Sequence, residues 1–383
     1  MLQIDDKANC CGCTACESIC HVGAINMVPD EQGFVYPQID SHKCVDCGLC
    51  ERVCIFNKAV VATRDDGYPL VYAARHKSEK EVAMSRSGAV FVALSNAVLG
   101  DNGVIYGATL TRDLRVIHKR AVDSVERDCF RGSKYVQSDL TGIFRQVKDD
   151  LMIGNKVLFS GTPCQVGALK SYLSLTRLDL TNLILVDIVC HGVPSPQYWN
   201  DYMSYIEKKE DDKIIQVNFR DKAKHGWSSH IESFVFSSGK TKYYNHKFYH
   251  DIMLRRSCLK CPYANITRSS DITLGDFWGW ERLGITMNAD DKGINLVLIN
   301  SNKGDALFQD ARCDINCYQT KVSECLQPNL VSPTNRHPMK DSFEKDYALK
   351  GFEYVGKIYN DLGWRSKWRR FKSYVRERLL NLI

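Results

Sequence analysis

Long apolar runs are missing from this sequence. None approaches the roughly 20 residues that a membrane helix needs, and the most apolar helical stretch, Gly88 to Leu99, is interrupted by Ser95 and Asn96. A secretory leader is missing too: Met1-Leu2-Gln3-Ile4-Asp5-Asp6 has no basic segment running into an apolar one. Both absences point to a cytoplasmic protein that does not span a membrane. A large excess of one charge sign is missing as well. The formal net charge is +6, and residues 361–383 hold seven Lys/Arg against Asp361 and Glu377. The rest is nearly neutral, which argues against a nucleic-acid-binding body and for a basic tail. No G-x-G-x-x-G follows a strand pattern, so a standard dinucleotide turn is not indicated.

Cysteine is in excess, with 17 in 383 residues. In a reducing compartment these are not a disulfide framework, and metal binding is the default reading. Cys10, Cys13, Cys16 and Cys20 follow C-x2-C-x2-C-x3-C, and Cys44, Cys47, Cys50 and Cys54 repeat it 34 residues later. This is the bacterial two-cluster ferredoxin spacing, in which the fourth cysteine of each run binds the other cluster. The expected sets are Cys10, Cys13, Cys16 with Cys54, and Cys44, Cys47, Cys50 with Cys20. Gly12 and Gly48 are expected at matching places where each loop wraps closely. His21 and Ile55 replace the usual proline after each fourth cysteine, and Cys11 is an extra thiol. Zinc is the rival, but zinc sites favour two-plus-two cysteines.

After a linker over Asn57–Tyr68, strands are expected at Leu70–Arg75, Val104–Ala108, Val116–Arg120, Lys156–Ser160 and Leu183–Val189. Helices are expected from about Ala89 to Leu99, from Ser138 to Met152 and from Pro163. The alternation reads as an α/β body with α+β elements, turning to β with aromatics between Ile214 and Tyr244. The domain reading is 1–60, a dicluster unit; 68–150 and 151–345, two regions of the body; and 360–383, a basic helix.

Cys164 in Gly161-Thr162-Pro163-Cys164-Gln165 and Cys190 in Cys190-His191-Gly192 each follow a strand, where open α/β sheets place cofactors. Cys258 and Cys261 form a C-x2-C pair. Four thiols suffice for a third iron–sulfur cluster. Cys164 also admits a nucleophile reading at a helix start, and Cys164 and Cys190 admit a packing reading.

These motifs, with Phe219-Arg220-Asp221-Lys222, Arg131-Gly132-Ser133-Lys134-Tyr135-Val136-Gln137-Ser138 and Ser270-Asp271-Ile272-Thr273-Leu274-Gly275-Asp276-Phe277-Trp278-Gly279, occur in one order. The chain resembles the coenzyme F420 hydrogenase/dehydrogenase beta-subunit family, in its bacterial form with a fused N-terminal ferredoxin. The resemblance spans residues 68–345 plus the ferredoxin segment. It implies an α/β flavoprotein with Cys164, Cys190, Cys258 and Cys261 on a third 4Fe-4S cluster beside FAD. It also implies electron exchange with a ferredoxin or other donor and a reducible substrate. Bacterial members fused to a ferredoxin are often associated with surface-polysaccharide genes, so the resemblance points to a sugar-related substrate. The alternatives are an electron-transfer subunit feeding a separate catalytic partner, and a redox-sensing scaffold with structural clusters.

Ser87 and Gly88 open an apolar helix where a flavin phosphate would meet free N–H groups, with Lys134, Ser138 and Asp276 as further cofactor candidates. A helix cap at Ser87 is the other reading. Candidate catalytic residues are His191, Lys222 and Trp227, with Arg220 and His225 beside them for an anionic or sugar-like ligand. His191 relays a proton or orders the cluster surroundings. Arg268, Asp271 and Trp278 are candidates to order the cluster or flavin edge. Cys129, Cys313, Cys317 and Cys325 read as packing cysteines. In the tail, Trp364, Trp368, Phe371, Val375, Leu379 and Leu382 recur at helical intervals among basic residues. Such a helix suits peripheral contact with an anionic membrane surface or docking on protein.

Overall fold

The computed structural model describes residues 3–60, 69–244, 251–359 and 362. The basic helix expected over 360–383 therefore lies outside the described residues, as does most of the expected linker.

The first sixty residues form a repeat in space as in sequence. Helical turns Ala15–Ile19 and Leu49–Val53 each follow a cysteine loop. A hairpin of β1 (Ile25–Pro29) and β2 (Val35–Ile39) lies between them. Each loop contains two left-handed residues, Gly12 and Thr14 in the first, Asp46 and Gly48 in the second. The matching pairs, 34 residues apart, are Gly12 with Asp46 and Thr14 with Gly48. This corrects the expected equivalence of the two glycines. Either position tolerates a residue other than glycine, at the cost of left-handed strain.

The body is built on an eight-stranded sheet. Its strands are β3 (Leu70–His76), β4 (Val104–Leu110), β5 (Val116–Ala121), β6 (Val157–Gly161), β7 (Leu183–Ile188), β11 (Ile272–Asp276), β12 (Asn295–Ile299) and β13 (Ile315–Thr320). Spatial order is β13-β3-β12-β11-β7-β6-β4-β5. The central β4, β6, β7 and β11 are parallel neighbours, and antiparallel strands flank them. β6 and β7 are continuous apolar runs because helices cover both faces. Both body regions, 68–150 and 151–345, contribute strands to this sheet. A smaller antiparallel sheet of β8 (Ile214–Asn218), β9 (Glu232–Phe236) and β10 (Thr241–Tyr244) packs with the helix Pro196–Glu210 and the first part of Lys340–Ile358 around Trp199, Tyr202, Phe234 and Phe343.

One expected helix is shorter than its periodicity suggests. It runs over Ile143–Met152, not from Ser138. Asp139 bridges Ile117 of β5, the Ser138 hydroxyl is hydrogen-bonded to His118, and Gly142 is left-handed at the helix start. Sheet contacts hold Ser138 and Asp139 against β5, and a turn at Thr141 and Gly142 then leads into the helix.

The ferredoxin-type unit shares a core with the body. Ala15, Ile25, Val53 and Ile55 pack into one cluster with Phe144, Val166, Leu169 and Tyr172. No helix among the described residues is long and apolar enough to cross a membrane.

Candidate functional site

The N-terminal cysteines sit in loops shaped by backbone donors. Gly12 N–H points to the Cys10 sulfur at 3.4 Å and Ala24 N–H to the Cys20 sulfur at 3.3 Å. Burial pushes the Cys10, Cys16 and Cys54 thiols up. Cys54 stands close enough to Cys13 and Cys10 for their charges to raise it further. Buried thiolates with oriented N–H donors fit an iron–sulfur core, whose cationic iron offsets the lost hydration. Among the described residues no three His, Cys, Asp or Glu side chains stand close enough to share a single ion. A cluster spreads its thiolates more widely than that.

A second group of thiols lies at the carboxyl edge of the parallel strands. Cys164 opens the helix Pro163–Ser174 just after β6. Thr162 caps that helix with Gln165 in a reciprocal pair, and the Thr162 hydroxyl lies 3.2 Å from the Cys164 sulfur. Cys190 follows β7 on the adjacent strand. Cys258 and Cys261 come from a loop nearly seventy residues on, and Val193 N–H reaches the Cys258 sulfur at 3.4 Å. All four line one open pocket. Burial raises Cys190 well above its usual range, Cys258 to about 12 and Cys261 to about 11.

Cys11 is the fifth cysteine of that lining. It belongs to the ferredoxin-type unit, and its thiol is close enough to those of Cys13 and Cys164 to act on both. The Cys11 thiol is the largest influence lowering Cys164 to about 7, and it lowers Cys13 likewise. Cys11 itself is pushed well up by the same two neighbours and then by burial. The extra thiol of the sequence thus lies between the two cysteine groups.

His191 stands at the pocket mouth, half-exposed. Its Nε2 meets Asp251 Oδ1 at 2.5 Å and its Nδ1 meets Asn329 Oδ1 at 3.2 Å. Behind the pocket, Arg268 is buried 3.8 Å from Asp187 of β7 and donates to the Tyr263 carbonyl. Asp271 braces the sheet, accepting from Leu185 N–H and the Ser301 hydroxyl.

The other candidates separate into two places. Lys222 and Trp227 join Asp276, beside β11. The Trp227 indole donates to Asp276 Oδ1 at 3.1 Å and stacks on Trp278 with centroids 4.4 Å apart. Arg220 donates to Asp276 Oδ2 at 3.1 Å and lies 5.7 Å from the centre of the Trp278 ring. Lys222 Nζ donates to the carbonyls of Ser87 and Lys292. Burial, then the charges of Arg86 and Arg75, push it down to about 7. The group is electropositive and aromatic. His225 faces Tyr243 edge-on instead.

Ser87 and Gly88 border that group but are filled. The Ser87 hydroxyl donates to the Ile294 carbonyl, and the Asn295 side chain takes Val90 N–H at the helix start. A Cβ on Gly88 would meet the Ala74 carbonyl at 2.5 Å. Here the glycine is needed for close packing on the sheet, and one of the helix-start N–H groups offered to a phosphate, that of Val90, is already taken by Asn295. Lys134 and Ser138 point elsewhere. Lys134 Nζ donates to the carbonyls of Cys129 and Arg131, and Ser138 joins His118 and Gln165. Their loop serves both places through other residues: the Tyr135 hydroxyl meets Arg220 at 3.4 Å, and Gln137 donates to the Cys11 carbonyl at 2.9 Å. Cys129 and Cys313 are exposed and not packed, whereas Cys325 is buried and Cys317 packs against the core.

A dicluster cysteine unit docked on an α/β body, with more cysteines at the sheet edge, defines an electron-transfer protein of the oxidoreductase type. Residues 9–58 match the 4Fe-4S dicluster domain, and residues 154–323 match the C terminus of the coenzyme F420 hydrogenase/dehydrogenase beta subunit. The chain joins these two domains. No curated protein matches it. A solved chain of the F420-reducing NiFe hydrogenase complex from Methanosarcina barkeri is 14% identical, with 79% of this chain and 93% of that one covered at a TM-score of 0.48.

Proposed function

We propose that this chain is an iron–sulfur, flavin-dependent oxidoreductase. It takes electrons at its ferredoxin-type unit and delivers them in pairs at the carboxyl edge of the main sheet. One observation carries the reading: Cys164, Cys190, Cys258 and Cys261, from three distant segments, line one pocket that also includes Cys11 of the ferredoxin-type unit. Those four thiols suit a third 4Fe-4S cluster. The Arg220, Lys222, Trp227 and Trp278 group suits an anionic, planar flavin, and its Asp276 lies one strand from Cys190. The clusters supply single-electron transfer, and a flavin supplies pairing into two-electron delivery.

The chain's own residues do the rest. Thr162 and Val193 direct hydrogen-bonding groups at the sulfurs of Cys164 and Cys258. Arg268 places a positive charge behind β7. His191, held by Asp251 and Asn329, presents a proton-carrying ring at the open mouth of the pocket. The acceptor we favour is a reducible intermediate of surface-polysaccharide synthesis, on the strength of the family resemblance. A ferredoxin is the favoured donor.

Iron, acid-labile sulfide and flavin counted per chain on protein purified without oxygen test this. We expect about 12 iron atoms, sulfide to match, and one flavin. Cys258→Ser is expected to fall to about eight iron atoms with the N-terminal clusters intact. Eight iron atoms in the parent, with no flavin bound or restored by added FAD, would leave an electron carrier that feeds another protein.

A further inference from the structure

Arg255 is fully buried, and among the described residues no carboxylate lies within 4 Å of its guanidinium. Its partners are neutral or sulfur. Nε donates to the Cys10 carbonyl at 2.8 Å, Nη2 to the Val35 carbonyl at 2.8 Å and Nη1 to the Gln137 side chain at 3.0 Å. Nη2 also lies 3.7 Å from the Cys10 sulfur, and the group stands 4.4 Å from the centre of the Tyr36 ring. Neutral acceptors solvate a guanidinium but do not balance its charge. A buried charge persists when an opposite charge is near. The negative groups beside this one are the thiolates of the first cysteine set. No Lys or Arg nitrogen among the described residues hydrogen-bonds to Cys20, Cys44, Cys47 or Cys50, and Cys47 is exposed.

We propose that Arg255 sets the reduction potential of the cluster held by Cys10, Cys13, Cys16 and Cys54, raising it above that of the Cys20, Cys44, Cys47 and Cys50 cluster. Reduction adds negative charge to a cluster, and a fixed cation in a low-dielectric surrounding favours the added charge. The cation is supplied by the body: Arg255 N–H donates to the Val193 carbonyl, and its own carbonyl accepts from Cys258 N–H. The loop bearing Cys258 and Cys261 thereby gives the ferredoxin-type unit its asymmetry. Electrons entering at the exposed set settle on the set that faces Cys11 and Cys164. That last step rests on the third-cluster reading; the potential itself does not.

The test is a potentiometric titration of the full chain, followed by electron paramagnetic resonance, with iron counted in the same samples. Arg255→Gln is expected to lower the reduction equilibrium constant of one N-terminal cluster at least tenfold, about 59 mV for one electron. The other N-terminal cluster should not move, and Arg255→Lys should restore most of the shift. Should Arg255→Gln lose iron, Gln137→Glu places a carboxylate on the guanidinium with Arg255 retained, and the same cluster should fall in potential. Unmoved potentials in either fully loaded variant would overturn the proposal. So would loss of the same iron from all three variants, which marks a purely structural residue. A parent holding only its two N-terminal clusters still gives a clear answer here, so failure of the third-cluster reading is seen separately.

Discussion

At the scale of single residues, the buried polar groups away from the cysteines decide how the molecule responds to acid. His118 of β5 is buried and stacked on Phe159. Its Nε2 lies 3.0 Å from the Ser160 carbonyl and its Nδ1 2.9 Å from the Ser138 hydroxyl. Those partners assign the neutral ring with hydrogen on Nε2. Burial pushes its pKa down to about 4 from 6.5, with Lys134 adding to the effect. A base with a depressed folded pKa binds its proton more readily unfolded. Its stabilising contribution is therefore complete above pH 6.5 and is lost as pH falls toward 4. The full loss is about 3 kcal/mol. We expect the parent's unfolding free energy in urea to fall more steeply between pH 6.5 and 5 than that of His118→Asn, by up to about 1.4 kcal/mol per pH unit. Parallel curves would show that His118 is not the group responsible. The residues that matter most near the cysteines were unequally legible. The twelve cysteines announce themselves by short spacing or by their place after strands. Arg255 meets Cys10 across 245 positions and Gln137 meets Cys11 across 126. No local pattern encodes such pairs. Cys11 was visible as a surplus thiol, but its contact with Cys164 needed the docked unit.

At the scale of elements, the two cysteine loops solve one backbone problem with different side chains. Thr14 and Gly48 start equivalent helical turns at φ of 64° and 70°, neither with a side-chain cap. Thr14 is β-branched, a costly choice in the left-handed region, and its buried hydroxyl lacks a hydrogen-bond partner. Nothing lies within 4 Å of a Cβ added to Gly48. Substitution there should meet backbone strain alone. Thr14→Gly is expected to raise stability by about 1 kcal/mol, and Gly48→Thr to lower it by about 1–2 kcal/mol. Denaturant unfolding read by cluster absorbance measures both, and a destabilised Thr14→Gly would mean that packing of the threonine methyl outweighs strain. The element boundaries that sequence misplaced have the same origin as this strain. Ser138 to Gly142 carries helical periodicity, but the pairing with β5 and the left-handed Gly142 override it. The strands were legible because β6 and β7 are buried on both faces and read as unbroken apolar runs. At Ser87–Gly88 sequence shows a helix start but not Asn295, which arrives from β12 and takes the Val90 N–H.

At the scale of the whole molecule, the ferredoxin-type unit is part of the body's core and not an appendage. Val53 accepts a hydrogen bond from the Ser171 hydroxyl, Arg145 grips Glu17 by backbone and side chain, and Ser195 and Gln197 hold the Gln32 carbonyl. Ile55 is buried in the apolar cluster that also contains Leu169 and Tyr172 of the body. Such continuity couples the folding of the two parts. It can be tested in the Cys258→Ser chain, where cluster absorbance reports the N-terminal clusters alone: all six tryptophans lie at or beyond residue 199, whereas the eight remaining cluster cysteines precede residue 55. Ile55→Ala removes buried methyl groups and should cost about 2–5 kcal/mol. In a coupled molecule, tryptophan fluorescence and cluster absorbance shift to lower denaturant together, although the substitution lies far in sequence from every tryptophan. In two independent units, the absorbance transition alone moves and the fluorescence transition stays in place. Coincident shifts would also explain why the Cys10 cluster borrows its counter-charge from the body: Arg255 is held in place only while the shared core keeps the two parts together.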